Sequence, residues 1–99
     1  MYSGRVDEDI EQAASLFKVL SSPVRLQIIV RLHEAPSAVQ DLAEAIGVSQ
    51  TLLSQHLRVM RMAGLVRADL DGRHRTYRIT DEHVSHIVLD AISHAKEEH

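Results

Sequence analysis

Gly47 stands between two short segments whose apolar residues recur at helical spacing, and this arrangement constrains the fold more than any other feature of the chain. The apolar face of the first segment consists of Val39, Leu42, Ala43 and Ile46. The apolar face of the second consists of Leu53, Leu57 and Met60. Glycine commonly ends a helix in the left-handed conformation, and Ser49 is a good N-cap for the helix that follows. The sequence therefore predicts two short helices joined by a tight turn, which is a helix-turn-helix.

A β-hairpin is predicted directly after this pair of helices. Gly64 ends the second helix of this pair. Asp71-Gly72 is a strong turn signal, and it lies between two stretches, 65–70 and 73–79, in which apolar and polar residues alternate weakly. A two-stranded hairpin in this position is a wing. The sequence thus predicts a winged helix-turn-helix, a mainly α fold with a β-hairpin wing.

Three further helices are predicted from amphipathic patterns and start signals. The first covers residues 7–20, and the second begins with Ser22 as its cap and Pro23 at the first helical position. Ser37 and Gln40 indicate a capping box for the third helix of the chain, which is the first helix of the helix-turn-helix. Thr80 is expected to cap the last helix. The predicted order is α-α-α-α-β-β-α in one domain over residues 1–99. We expect a homodimer formed through the first and last helices, because so short a chain buries only a modest core.

Composition excludes several classes of protein. The chain has no cysteine, so it holds no disulfide, thiolate metal site or cysteine nucleophile. No apolar run approaches the ~20 residues that cross a bilayer, and the first residues lack the apolar region of a signal peptide. We therefore expect a cytoplasmic protein with no membrane partner. The pair His33-Glu34 lacks the second histidine of a zinc-protease motif, and no phosphate-binding glycine loop is present, so an enzyme is not expected.

The net charge of −3 is distributed unevenly along the chain. Residues 56–78 carry six arginines against two aspartates, a net charge of +4. Residues 1–55 carry −3 and residues 79–99 carry −4. A basic segment between acidic ends favours one polyanion-binding face, although a solvated arginine-rich surface has the same composition.

The second helix of the helix-turn-helix carries polar side chains suited to reading bases. Gln can bond adenine in a bidentate way, Arg suits guanine, and Ser and Thr reach bases or phosphates. These residues are Gln50, Thr51, Ser54, Gln55 and Arg58, with His56 at the edge of the set. Arg73, His74 and Arg75 at the hairpin tip are expected to contact phosphates or a flanking minor groove. The predicted partner is double-stranded DNA, bound by a dimer with recognition helices roughly 34–36 Å apart.

The last helix combines an apolar stripe with many histidines. Asp81 and His83 stand at its start, and His94 and Glu97 stand near its end. The two histidines share a face but lie about 16 Å apart, too far for one ion to bind both. An antiparallel copy of the helix would bring the two ends together and form two metal sites shared between subunits. Acidic side chains at the start of a helix are also stabilised by the helix dipole alone. The alternative is therefore that Asp81 stabilises the helix and binds no metal.

Three stretches together resemble the ArsR/SmtB family of winged-helix metal-sensing repressors. They are DLAEAIGVSQTLLSQHLRVMRMAGLV, DGRHRTYRI and the D-x-H-x10-H-x2-E pattern that begins at Asp81. The resemblance implies a fifth-helix site with Asp81, His83, His94 and Glu97 as ligands and Zn(II) as the effector. It also implies that the metal-free dimer represses and that metal releases the operator DNA. His94 would then bond the backbone carbonyl of Gly64 through its second ring nitrogen.

The identity of the metal is left open by the residues. Two imidazoles and two carboxylates suit Zn(II), Co(II) or Ni(II), and four ligands without obvious extras favour tetrahedral zinc. Nickel would need more ligands, which His86 or His99 would have to supply. The stretch EAPSAVQDL stands where many family members carry cysteines, so sensing of soft metals through thiolates is not expected. A metal-independent repressor of the same fold and a pure dimerisation module are the remaining alternatives.

Overall fold

The computed structural model describes residues 4–97, and that part of the chain contains five helices and three strands. The helices are α1 (Gly4–Leu20), α2 (Pro23–Glu34), α3 (Val39–Ile46), α4 (Gln50–Met62) and α5 (Glu82–Lys96). The strands are β1 (Ser37–Ala38), β2 (Val66–Asp71) and β3 (His74–Ile79). The predicted winged helix-turn-helix is confirmed, with α3 and α4 as the helix pair and β2–β3 as the wing.

One strand was not anticipated. β1 pairs antiparallel with β3, with Ser37 opposite Tyr77, and β3 pairs antiparallel with β2 along six residues of each strand. The sheet order is β1-β3-β2, so the observed element order is α-α-β-α-α-β-β-α. Two residues are too few to show an alternating pattern, which is why the sequence carries no signal for β1.

The turn at Gly47 has the predicted geometry. Gly47 has a φ of +87°, and the N–H groups of Gly47 and Val48 both donate to the carbonyl of Ala43, at 2.8 and 3.1 Å. The hydroxyl of Ser49 accepts the backbone N–H of Leu52 at 3.1 Å, which caps α4 as predicted. The glycine and the serine together fix the angle at which α4 leaves the turn.

The capping box predicted at Ser37 is wrong. The N-cap of α3 is Ala38, which offers no side-chain acceptor. Ser37 is instead part of β1, because its backbone pairs with β3 across the sheet. By contrast, Ser22 caps α2 as predicted and accepts the Arg25 N–H at 3.3 Å.

The cap predicted for the last helix is displaced by one residue. Asp81, and not Thr80, is the N-cap of α5, and its carboxylate accepts the His83 N–H at 2.9 Å. The Thr80 N–H donates to the Leu65 carbonyl at 3.1 Å. A carboxylate is the stronger acceptor at the positive end of a helix, so Asp81 takes the position.

The core lies between α2, α3, α4, α5 and the sheet. Its hydrophobic side chains exposed by less than 2% are Ile28, Ile29, Leu42, Leu53, Leu57, Met60, Val66 and Val88. α1 contributes Leu20 to this core, but Ile10 is 61% and Phe17 56% exposed. Within residues 4–97 no single helix is long and apolar enough to span a bilayer; α1 and α2 meet that test only as a pair bent by 95°.

Candidate nucleic-acid interface and metal-ligating residues

One open, solvent-facing surface of α4 carries all five polar residues expected to read bases. It is lined by Gln50, Thr51, Ser54, Gln55 and Arg58. The opposite face of α4 buries Leu53, Leu57 and Met60 in the core. The helix is thus seated by its apolar face and presents its polar face to solvent, as a helix that enters a DNA groove must.

Arg61 extends this surface and was not among the predicted contact residues. It is exposed and lies eleven residues after Gln50, which is close to three helical turns. Arg61 and Gln50 therefore share one face at opposite ends of α4. Helical phase identifies this residue from the sequence alone.

His56 does not belong to that surface. Its Nδ1 accepts a hydrogen bond from Nε of Arg25 at 3.0 Å, and Nη1 of Arg25 donates to the Val19 carbonyl at 3.1 Å. Burial, and then the positive charge of Arg25, lower the pKa of His56. Arg25 therefore ties the start of α2 to the middle of α4. The two residues lie 31 positions apart, so no local pattern signals the contact.

The wing places its three predicted contact residues at the tip but not on one face. Arg73 follows Gly72 in the turn between the strands. Arg75 lies opposite Leu70 and His74 lies opposite Asp71. Because side chains alternate across a strand, Arg75 and His74 leave the sheet on opposite sides. A DNA backbone lying against one side of the wing would meet one of them directly.

Asp69 neutralises part of the basic segment. Its Oδ2 lies 2.6 Å from Nε of Arg78, and its Oδ1 lies 3.6 Å from Nε of Arg67. Two of the six arginines between residues 56 and 78 are therefore held in a wing salt-bridge cluster. The charge near α4 and the wing tip then comes mainly from Arg58, Arg61, Arg73 and Arg75.

Each end of α5 brings together two of the four predicted metal ligands. At the N-terminal end, Oδ1 of Asp81 lies 2.9 Å from Nδ1 of His83. At the C-terminal end, Oε1 of Glu97 lies 3.9 Å from Nδ1 of His94. All four side chains are more than half exposed. The backbone N–H of His83 holds the pKa of Asp81 below its usual value, so this carboxylate is ionised as a ligand must be.

Neither end of α5 is a complete metal site within one chain. Across residues 4–97, no three His, Asp or Glu side chains stand together in metal-binding geometry. The four residues supply two nitrogen and two oxygen donors, a set that fits tetrahedral zinc. Each end of α5 offers only one imidazole and one carboxylate. A four-ligand site therefore forms only where a second copy of the chain supplies the other imidazole and carboxylate.

An apolar groove lies between α1 and α5, beside these residues. It is lined by Phe17, Leu20, Ser21, Leu26, Ile87, Val88 and Ala91. Ile87 follows His83 by four residues, about one helical turn, so His83 lies beside the edge of this groove.

Comparison with known proteins identifies the family. The family description "Bacterial regulatory protein, arsR family" matches residues 22–68. The HTH-type transcriptional repressor SmtB of Mycobacterium tuberculosis is 42% identical over 91 residues, which cover 92% of this chain and 67% of that protein. The chain belongs to the arsR family of bacterial regulatory proteins.

Other relatives of this arsR-family protein support the same family assignment. The HTH-type transcriptional regulator NmtR of M. tuberculosis is 43% identical over 88 residues, covering 89% of this chain and 73% of that protein. The homodimeric winged helix-turn-helix DNA-binding domain of Mb0332 from Mycobacterium bovis superimposes with a TM-score of 0.80 at 30% identity, covering 99% and 97%. This arsR-family protein is accordingly a DNA-binding transcriptional regulator and not an enzyme.

Gly64 of this arsR-family protein lies in the turn between α4 and the wing. It has a φ of +77°, and its N–H donates to the Arg61 carbonyl at 3.0 Å. The bond expected between its carbonyl and His94 stays a prediction for the metal-bound dimer. His99, considered as an extra nickel ligand, lies outside the described residues.

Proposed function

We propose that this arsR-family protein is a metal-responsive repressor that binds operator DNA as a homodimer and is released by Zn(II). The proposed ligands are Asp81, His83, His94 and Glu97, in two sites shared between subunits. The observation that carries the proposal is the presence of one imidazole–carboxylate pair at each end of α5. Two half-sites on one helix, about 16 Å apart, are what an antiparallel helix pair requires.

The exposed apolar surface of α1 and α5 supports the dimer. Phe17 is 56% exposed and lines the groove that Ile87 and Ala91 also line. A second copy with the same groove buries these side chains by symmetry, because an isologous interface pairs one patch with itself. The M. bovis domain with a TM-score of 0.80 is described as homodimeric, which is consistent with this assembly.

DNA is proposed to contact the open, polar surface of α4 and the tip of the wing. Gln50, Thr51 and Ser54 stand in the first turns of α4, where a recognition helix meets base edges. Arg73 and Arg75 at the wing tip would contact phosphates, which raises affinity without selecting sequence. Two such units in a dimer read two half-sites about one DNA turn apart.

Release of DNA requires that metal bind one dimer geometry more tightly than another. Bound zinc would supply a cross-link between subunits. Asp81 and His83 of one subunit and the partner's His94 and the partner's Glu97 would then hold the two α5 helices in one register. A bond from the second ring nitrogen of His94 to the Gly64 carbonyl would carry that register to the end of α4. The recognition helices would no longer match the one-turn spacing of the operator.

Fluorescence anisotropy of a labelled fragment from upstream of the gene tests the proposal, at fixed salt and with or without Zn(II). We expect Zn(II) to lower DNA affinity about tenfold or more, which is about 1.4 kcal/mol. His83→Gln removes one ligand of each site and should abolish the response. His86→Gln, which alters an α5 histidine outside the proposed ligand set, should retain it.

Parallel titrations with Ni(II) and Co(II) distinguish the alternatives. Release at lower concentrations of Ni(II) or Co(II) than of Zn(II) would favour a nickel- or cobalt-responsive repressor. Equal DNA affinity with and without every metal would contradict metal control and leave a metal-independent repressor of the same fold.

A further inference from the structure

His33, Glu82 and His86 come together where the end of α2 meets the start of α5. Nδ1 of His33 lies 3.5 Å from Oε2 of Glu82. The rings of His33 and His86 meet edge to face, with centroids 6.4 Å apart and an interplanar angle of 66°. Glu82 and His86 are four residues apart and therefore neighbours on one face of α5.

Helical phase separates this cluster from the proposed zinc ligands. At 3.6 residues per turn, Glu82 and His86 lie roughly 70–110° around α5 from the line that joins His83 and His94. The cluster faces α2 of its own chain, whereas His83 lies beside Ile87 at the edge of the groove between α1 and α5. The two sets of residues therefore share a helix but not a surface.

We propose that His33, Glu82 and His86 form a second metal site, within one subunit, for a divalent first-row transition ion. Two imidazole nitrogens and one carboxylate suit Zn(II), Co(II) or Ni(II), with water completing the coordination. With bonds of about 2.0–2.1 Å, a tetrahedral ion separates its ligand atoms by about 3.3 Å. The 3.5 Å between His33 and Glu82 is close to that separation.

The third ligand needs only a side-chain movement. Two imidazoles on one tetrahedral zinc ion have ring centroids about 5–6 Å apart, given bonds of about 2 Å. The observed 6.4 Å is slightly longer, and the three side chains do not already stand in coordination geometry. His86 is exposed, and exposed side chains change rotamer freely. The ion itself would therefore draw the third ligand into place.

The charges around the cluster favour a cation. His33 stands in the last turn of α2, where the negative end of the helix dipole stabilises positive charge. Glu82 adds a full negative charge from the first turn of α5. An ordinary His33–Glu82 pair accounts for those two residues, whereas a metal site also gives a role to the edge-to-face approach of His86.

The test uses the full chain with His83→Gln and His94→Gln, so that both histidines of the proposed inter-subunit sites are absent. Zn(II) is titrated while the imidazole nitrogens are followed by ¹H–¹⁵N NMR. We expect the His33 and His86 rings to shift together and to saturate at one ion per chain. Loss of a hydrogen-bond partner behind a ligand already costs about 10–100-fold in metal affinity, and His33 is itself a ligand here, so adding His33→Gln should weaken binding at least about tenfold.

A control is Glu44→Gln in the same background, which removes an exposed carboxylate of α3 and should leave the zinc affinity unchanged. The proposal is overturned if the His33 and His86 rings do not respond together, or if His33→Gln binds zinc as tightly as its parent. Because these proteins lack the histidines proposed for DNA release, the outcome is separate from that of the anisotropy experiment.

Discussion

At the scale of single residues, Asp69 determines which arginines of the wing are paired with a carboxylate and which remain available to phosphate. Arg78 and Arg67 lie 2.6 and 3.6 Å from its carboxylate. Such half-exposed pairs contribute little to stability. They do, however, reduce the attraction of these arginines for phosphate. Arg75, by contrast, forms no salt bridge within residues 4–97.

Arg75→Ala should therefore weaken the salt dependence of DNA binding. Each phosphate contact contributes about 0.9 to the slope of log K against log salt, and a dimer makes two such contacts. We expect the magnitude of the slope to fall by about 1.8. Arg78→Ala is the matched control and should change the slope little. Equal effects of the two variants would remove the wing tip from the phosphate contacts.

The contact between Arg25 and His56 predicts a pH dependence. Burial and the charge of Arg25 hold the pKa of His56 below its ordinary value of 6.5, so the unfolded chain protonates first as the pH falls. The stabilising contribution is present above pH 6.5 and is lost as the pH falls through the folded pKa. An NMR titration of the His56 ring should give a midpoint below 6.5 in the folded protein.

Arg25→Gln should raise that midpoint toward 6.5 without reaching it, because burial remains the larger cause. Arg31→Gln, in the same helix, should leave it unchanged. A midpoint that is insensitive to Arg25→Gln would mean that the two side chains do not meet in solution.

At the scale of elements, the first turn of α4 depends on one hydroxyl. Ser49 accepts the Leu52 N–H at 3.1 Å and so holds Gln50 and Thr51 in helical conformation. Ser49→Ala should cost about 1 kcal/mol of unfolding free energy, measured by urea denaturation. DNA affinity should fall as well, because the base-reading residues begin immediately after the cap.

The matched variant is Ser22→Ala, which removes the equivalent cap of α2. We expect a similar loss of stability and a smaller loss of DNA affinity. If both variants lose DNA affinity equally, the effect comes from general destabilisation and not from the first turn of α4.

At the scale of the whole molecule, the chain is elongated, with extents of 53 × 37 × 21 Å. α1 places Ile10 and Phe17 largely in solvent. Burying a phenylalanine side chain stabilises by about 1.5–3 kcal/mol, and a symmetric dimer buries two. The apolar groove between α1 and α5 is therefore expected to be covered by a second copy.

Phe17→Glu should convert the protein to a monomer in sedimentation velocity experiments, since it places a charge in the groove. Met62→Glu is the control: Met62 is 78% exposed but lies on α4, outside the groove. A Phe17→Glu protein that remains dimeric would place the interface elsewhere.

Local chemistry in the sequence was enough to predict most of the architecture. Helical periodicity, the glycine at position 47 and the serines at 22 and 49 each act within a few residues, so the chain around them carries the full signal. The hairpin at Asp71-Gly72 follows in the same way. The five polar residues of α4 were predicted to share a face because helical phase is also local.

Only the tertiary structure decided which distant groups meet. β1 forms because the backbone of Ser37 and Ala38 pairs with β3. Ser37 is therefore a strand residue and does not cap α3 as predicted. The contact of Arg25 with His56 spans 31 residues, and that of His33 with His86 spans more. Spacing within one helix predicts its own faces, but the neighbour of each face is set by how helices pack. For that reason the sequence alone determined the helix-turn-helix and the wing, whereas the pairing of β1 with β3 and the packing of α2 against α4 and α5 determined the rest.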